Sequence, residues 1–165
     1  MSKTTDNLKE AFAGESQANR KYLAFAKKAD DEGYPQAARM FRAAAEAETV
    51  HAHAHLRALK GIGSTAENLK AAVEGETHEF ENMYPDMIAE AEAEGEKEAL
   101  RSFKFANEVE AIHANLYQKL LDGLSGDMEE YPYWVCPVCG YTCEKEHPER
   151  CPVCNAKGDR FIKID

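Results

Sequence analysis

The sequence predicts an all-α protein, in which a bundle of four helices is followed by a small domain that a metal ion holds together. Three observations lead to this prediction. Residues 1–122 are rich in Ala, Glu, Lys and Leu, which favour helices. Glycines and prolines divide that stretch into four segments. All five cysteines of the chain fall between Cys136 and Cys154.

The four helices are predicted at about 5–31, 35–60, 65–94 and 96–122. Ser64-Thr65-Ala66-Glu67 has the pattern of a capping box and begins the third helix. Pro85 lies inside that helix and should kink it near Met83. The predicted domains are a bundle at 1–123, a linker at 124–132 and a cysteine-rich domain at 133–165. That last domain is too short to bury a self-sufficient core, so a metal staple is expected.

The overall charge argues against two classes of partner. The formal net charge is -10 and charged residues make up 30% of the chain, which disfavours nucleic acid and anionic membrane. No stretch approaches 18 consecutive apolar residues, and MSKTTDNLKE lacks the apolar core of a signal peptide. We therefore expect a cytoplasmic protein, whose clustered cysteines are reduced and available to metals.

Acidic side chains lie on the apolar stripe of every helix, where a carboxylate without a partner is costly to bury. Two imidazoles share these positions. No row of inward Lys or Arg neutralises the acids, whereas two metal ions would. The candidate ligands are Glu15, Glu48, His51, Glu76, Glu79, Glu110 and His113.

The spacing of these candidates repeats. Glu48-x-x-His51 and Glu110-x-x-His113 each place a carboxylate and an imidazole one helical turn apart. Glu15 precedes the first pair by 33 residues and Glu76 precedes the second by 34. Two-metal carboxylate bundles use this arrangement, one Glu from each of two helices and Glu-x-x-His from the others. Oxygen and imidazole ligands suit Fe or Mn.

The cysteines form two C-P-V-C knuckles, Cys136 to Cys139 and Cys151 to Cys154, with 11 residues between them. Paired knuckles of this kind predict a tetrahedral metal site. Gly140 and Asn155 follow the knuckles and permit a turn that aims backbone N–H groups at sulfur. Zinc is the general expectation for such a site. The neighbouring two-metal bundle favours iron, because a redox centre needs an electron carrier. Cys143 has no partner in this pattern.

Taken together, these segments resemble the rubrerythrin family along essentially the whole chain. The matching segments are Gly14-Glu15-Ser16-Gln17, Glu48-x-x-His51, Gly75-Glu76-x-x-Glu79 with Met83-Tyr84-Pro85, Glu110-x-x-His113, and the two C-P-V-C knuckles. The resemblance implies a ferritin-like four-helix bundle with a di-iron centre, followed by a rubredoxin-like domain with one iron on four cysteines. It implies an oxidoreductase, a peroxidase that reduces hydrogen peroxide to water and protects against oxidative stress.

The resemblance also implies roles for individual residues. Glu48 and Glu110 would bridge the two irons, which an oxo or hydroxo group also bridges, and Glu15 and Glu76 would each bind one. His113 would bind the second iron, while the first would exchange Glu79 for His51 on reduction. Tyr22 and Tyr84 match tyrosines that hydrogen-bond ligand carboxylates in the family. Cys136, Cys139, Cys151 and Cys154 would hold the third iron.

The implied partners are hydrogen peroxide and an electron donor, either an NAD(P)H-dependent rubredoxin reductase or a rubredoxin. The family forms homodimers in which the rubredoxin iron of one subunit approaches the di-iron centre of the other. We expect the same here, because helical rise would place the cysteine domain beyond the end of the last helix, about 15 Å or more from His113.

Two other functions remain open on the sequence. The ferritin-like ligand set would also suit a ferroxidase or iron-handling protein, although iron storage needs no fused electron carrier. A zinc-ribbon binding module on a structural bundle is the third possibility.

Overall fold

The computed structural model describes residues 2–165, which form five α-helices and three short strands. The helices are α1 (Lys3–Asp31), α2 (Pro35–Ala58), α3 (Thr65–His78), α4 (Tyr84–Glu94) and α5 (Lys97–Gly123). The predicted all-α fold is confirmed. The third predicted helix is present as α3 and α4 with a π-helical turn, Glu79–Met83, between them.

The ends of the helices follow the predicted signals. Ser64 Oγ accepts a hydrogen bond from the Glu67 N–H, and the Glu67 carboxylate accepts one from the Ser64 N–H at 2.7 Å. This is the capping box that the sequence predicted. Gly95 ends α4 in the left-handed conformation, with φ of 75°.

The π turn includes Met83, near which the sequence predicted a kink. The Tyr84 N–H donates to the Glu79 carbonyl, five residues back, and Pro85 lies in the first turn of α4. Because proline has no N–H to donate, it fits the start of a helix better than its middle. A π turn inserts one extra residue into a helix, so the chain accommodates Pro85 by changing the helical register.

The chain divides into two compact units, and the first ends at Gly63. In this unit α1 and α2 pack as a helical hairpin. Small residues at the contact, including Ala26, Ala38 and Ala45, let the helices approach closely. The Asn19 amide donates to the Ala45 carbonyl at 2.7 Å, which ties α1 to α2.

The second unit, Ser64–Asp165, contains the other three helices and the cysteine domain. Here α3 and α4 both pack against α5. Ala91 of α4 and Val109 and Ala114 of α5 are buried.

The cysteine domain is a three-stranded antiparallel sheet, β1 (Tyr133–Val135), β2 (Thr142–Glu144) and β3 (Ile162–Ile164), in the order β2-β1-β3. Its core is small and contains Cys136, Cys151 and Phe161. A glycine is needed at position 158 because a Cβ there would clash with the Pro148 carbonyl oxygen.

The position of the sheet corrects one expectation. The sequence predicted a cysteine domain beyond the end of the last helix. Instead, the chain reverses after Gly123 and the sheet lies back along α5, where Thr142 Oγ1 is 3.0 Å from His113 Nε2. Lys119 Nζ, further along α5, lies 2.6 Å from the Glu144 carboxylate on β2.

None of the helices in the described part of the chain is long and apolar enough to cross a membrane.

Candidate metal centres

Three groups of side chains in the described residues are arranged as metal sites, two on the helices and one on the cysteine loops. In the first unit, Glu15 of α1 meets Glu48 and His51 of α2. His51 Nδ1 lies 3.0 Å from Glu48 Oε2 and 3.9 Å from Glu15 Oε1. We refer to these three residues as the first triad.

The second triad lies in the second unit, where Glu76 of α3 meets Glu110 and His113 of α5. His113 Nδ1 lies 2.8 Å from Glu110 Oε2 and 3.9 Å from Glu76 Oε1. These distances are close to those of the first triad. The internal repeat of the sequence therefore corresponds to a repeated local geometry, set by the three-residue spacing within one helix and by pairing with a second helix.

The charges within each triad call for a cation. Burial, followed by the charge of Glu110, raises the pKa of Glu76 to about 7. In the first triad, the hydrogen bond between the two carboxyls, followed by burial, raises the pKa of Glu15, and the same bond lowers the pKa of Glu48. In each pair one acid is thus harder to ionise beside the other, and a metal ion between them would offset this repulsion.

The triads are partly buried, and none of the described charged residues is fully buried. Glu110 and Glu48 are both 17% exposed at the side chain. His51 is 55% exposed whereas His113 is 25% exposed. The imidazole of the second triad is more enclosed, since β2 covers it.

The four predicted cysteines come together as a third site. The sulfur atoms of Cys136 and Cys154 are 3.6 Å apart, and those of Cys139 and Cys151 are 3.5 Å apart. A tetrahedron with metal–sulfur bonds of about 2.3 Å has edges of about 3.8 Å, so the sulfurs need only a slight expansion to enclose a metal. Cys143 lies outside this group, with its thiol near the Glu146 carbonyl at 3.5 Å.

The loops after the knuckles have the predicted turn. Gly140 has φ of 85° and Asn155 has φ of 62°, both left-handed. Burial raises the pKa of the Cys136 thiol, but hydrogen bonds from the Val138 and Cys139 backbone amides outweigh it and lower the pKa overall. Amide donors of this kind stabilise thiolates as metal ligands.

Glu79 does not belong to either triad. It begins the π turn and is close enough to Glu76 for its charge to raise the pKa of that carboxyl. Its exchange with His51 stays a prediction.

The two tyrosines have different surroundings. Tyr84 lies near the second triad, because Glu110, Glu79 and Glu76 raise its pKa after burial does. Tyr22 packs in an aromatic cluster with Phe25 and Phe41. The roles of both tyrosines stay predictions.

Two residues beside the second triad were missed by the sequence analysis as functional candidates. Tyr117 follows His113 by one turn, and burial and then Glu76 and Glu110 raise its pKa. The repeat could have identified it, because it lies seven residues after Glu110 as His55 lies seven after Glu48. Thr142 lies on β2 and has no signal in the sequence, since only the return of the chain along α5 brings it to His113.

Helices that carry two carboxylate–imidazole triads, joined to a four-cysteine sheet, define a ferritin-like di-iron protein with a rubredoxin-like domain. The chain belongs to the rubrerythrin family. The rubrerythrin family model matches residues 6–121, and the model of the rubrerythrin rubredoxin-like domain matches residues 134–162. The predicted family, fold and cofactor types are confirmed.

Known relatives match nearly the whole chain. Rubrerythrin-2 of Clostridium acetobutylicum is 38% identical over 174 residues, covering 96% of this chain and 95% of that protein. Rubrerythrin of Porphyromonas gingivalis is 42% identical over 171 residues, covering 93% and 86%. The solved structure of fully reduced, all-ferrous nigerythrin matches with a TM-score of 0.60 and 33% identity, covering 99% of this chain and 88% of that one.

Proposed function

We propose that this protein reduces hydrogen peroxide to water, with electrons that enter through the four-cysteine site. The observation that carries the proposal is that two carboxylate–imidazole triads and a tetrathiolate site occur on one chain, with the cysteine sheet in contact with His113. Reduction of one peroxide consumes two electrons and two protons and yields two water molecules. Membership of the rubrerythrin family, whose members are generally oxidoreductases, supports this function.

The ligand residues fit iron. Glu15, Glu48 and His51 would hold one ion, and Glu76, Glu110 and His113 a second. Bound ferrous ions would each supply one electron and polarise the peroxide oxygens. That Glu48 and Glu110 bridge the ions stays a prediction.

The tyrosines near the second triad are suited to hydrogen-bond donation. Burial and the neighbouring carboxylates raise the pKa values of Tyr84 and Tyr117, so both hydroxyls keep their protons at neutral pH. A protonated phenol can donate to a carboxylate ligand or to a bound peroxide, which supports the predicted role of Tyr84.

We also propose a homodimer, a rubredoxin or NAD(P)H-dependent rubredoxin reductase as electron donor, and a cytoplasmic location. The rubredoxin-like domain supports a redox partner, and the family resemblance implies the homodimer. Four clustered thiols are kept available for metal in a reducing compartment, which supports the third.

The test is a single-turnover experiment on iron-loaded protein, reduced without oxygen and mixed with peroxide in a stopped-flow instrument. The colour of the ferric cysteine site should appear, and faster with peroxide than with oxygen. The control is the double variant Glu76→Ala and Glu110→Ala, which keeps the four cysteines and reports any direct attack of peroxide on that site.

Three results would contradict the proposal. The cysteine iron could stay reduced after peroxide is added. Added Fe(II) could turn over faster with oxygen than with peroxide, which would favour a ferroxidase. Colourless protein with zinc on the cysteines would favour a binding module.

A further inference from the structure

The cysteine sheet meets the second triad through a hydrogen bond between two side chains. His113 Nε2 and Thr142 Oγ1 are 3.0 Å apart, and the Thr142 hydroxyl donates to the Gly140 carbonyl at 3.0 Å. A carbonyl can only accept, so the single hydroxyl hydrogen of Thr142 is committed to Gly140. Thr142 Oγ1 must therefore accept from His113, and Nε2 of His113 carries a proton.

This hydrogen bond decides which nitrogen of His113 can bind a metal. When a metal ion replaces the proton between Nδ1 and the Glu110 carboxylate, 2.8 Å away, the proton held on Nε2 leaves the Nδ1 lone pair for the metal. Nδ1 is the atom that faces Glu110 and Glu76. Thr142 thus holds the ring in the tautomer and orientation that the second triad needs.

From Thr142, a chain of hydrogen bonds continues to the sulfur of Cys139. The Tyr141 N–H donates a hydrogen bond to Cys139 Sγ, which lowers the pKa of that thiol against the larger effect of burial. The Tyr141 nitrogen and the Gly140 carbonyl belong to one peptide group. A single peptide and one hydroxyl therefore connect Cys139 to His113 through three consecutive hydrogen bonds, without a gap that water would have to fill.

Packing keeps this connection in place. Gly140 lies against α5, since a Cβ there would be 3.7 Å from Val109. Lys119 of α5 binds Glu144 of β2, two residues after Thr142, at 2.6 Å. Two points of attachment fix how β2 lies along α5.

The first triad has no comparable connection. His51 makes a hydrogen bond with Glu48 through Nδ1, but no hydrogen bond reaches its Nε2 within residues 2–165. Its side chain is 55% exposed. The connection to the cysteine site is therefore a property of the second triad.

We propose that Thr142 is a positioning residue, which fixes His113 as an Nδ1 ligand of the second triad and connects that ligand to the Cys139 loop. If both sites hold iron, an electron that passes along this connection would oxidise the iron on the four cysteines from ferrous to ferric and reduce the iron held by His113 from ferric to ferrous. The inference rests on the proposed function.

The kinetic test compares Thr142→Val, which removes the hydroxyl at nearly constant shape, with Thr142→Ser, which keeps it. Flash photoreduction of all-ferric protein by an excited donor places one electron on the cysteine iron, and absorbance follows its departure. The rate should fall about 10- to 100-fold in Thr142→Val, the usual effect of losing a partner of a ligand histidine, and stay close to wild type in Thr142→Ser.

A second measurement does not depend on redox chemistry. In zinc-substituted protein labelled with ¹⁵N, the Nε2–H signal of His113 should be present in wild type and Thr142→Ser. In Thr142→Val it should be lost through exchange with solvent. The zinc affinity of the second triad should fall about 10- to 100-fold while that of the first triad is unchanged.

The outcomes separate the two proposals, because photoreduction uses no peroxide. Electron transfer and an Nε2–H signal that survive in Thr142→Val would overturn the role of Thr142 and leave the peroxidase in place. If the wild-type protein does not react with peroxide, but electron transfer is slowed in Thr142→Val, the peroxidase proposal is overturned and the positioning role of Thr142 is supported. If valine disturbs the sheet, as circular dichroism would show, Thr142→Ala provides the same comparison.

Discussion

The first and second triads have nearly the same internal geometry but different surroundings. In both, the histidine Nδ1 lies within hydrogen-bonding distance of the glutamate on its own helix, at 3.0 Å in the first triad and 2.8 Å in the second. It lies 3.9 Å from the glutamate on the other helix. His113 is covered by β2 and bonded to Thr142, whereas His51 is largely exposed. The two sites have the same ligands because the helix geometry repeats. Their surroundings differ because β2, which lies outside the repeat, covers the second triad.

The two halves of the internal repeat differ by one residue in the third predicted helix, which contains α3, the π turn and α4. Tyr22 follows Glu15 by seven residues, whereas Tyr84 follows Glu76 by eight. The extra residue belongs to the π turn between Glu79 and Met83. Tyr84 nevertheless stays near Glu76, as the effect of Glu76 on the tyrosine pKa shows.

The largest expected difference between the triads is in their dependence on histidine. His113→Ala should lower the metal affinity of the second triad by at least about 100-fold, because it removes both a ligand and its fixed hydrogen bond. His51→Ala should cost the first triad about tenfold or less, since that ring is exposed and none of residues 2–165 hydrogen-bonds its Nε2. Competition with a chelator measures both. Equal losses would remove the distinction between the triads.

The next largest effect concerns the protonation of Glu76 in the metal-free protein. Folding raises the pKa of Glu76 from 4.5 to about 7, so its contribution to stability is complete below pH 4.5 and is lost as the pH rises through 7. After allowance for solvent screening, the loss should be about 1 kcal/mol in the free energy of unfolding.

Denaturant unfolding between pH 4 and 8 would measure this loss. Glu76→Gln should remove that part of the pH dependence, and Glu74→Gln on the exposed face of α3 should leave it. Metal should also remove it, because a bound cation takes the place of the proton. If the free energy of unfolding instead rose with pH across this range as Glu76 ionised, the prediction would be wrong.

The smallest effect should come from the ion pair that holds β2 against α5. Glu144→Gln weakens the bond to Lys119, which is 59% exposed at its side chain, and should cost about 0.5 kcal/mol. Electron transfer from the cysteine iron should slow about two- to threefold, with no change in the metal content of the first triad. High salt should reproduce the effect in wild type and have none in Glu144→Gln.

The sequence predicted what depends on local spacing. The Glu-x-x-His pairs, the capping box at Ser64 and the left-handed turns at Gly140 and Asn155 follow from rules that act over a few residues. The contact between Thr142 and His113 could not be predicted in this way. It joins residues 29 positions apart and depends on a reversal after Gly123, where no periodic pattern constrains the chain.

The central claim is that each triad holds one iron and the cysteines hold a third. Elemental analysis together with Mössbauer spectroscopy of protein loaded with ⁵⁷Fe tests it most directly. We expect three irons per chain, one with the signature of tetrahedral sulfur coordination and two with oxygen and nitrogen ligands. A single iron per chain on sulfur, with both triads empty in metal-replete protein, would contradict the account.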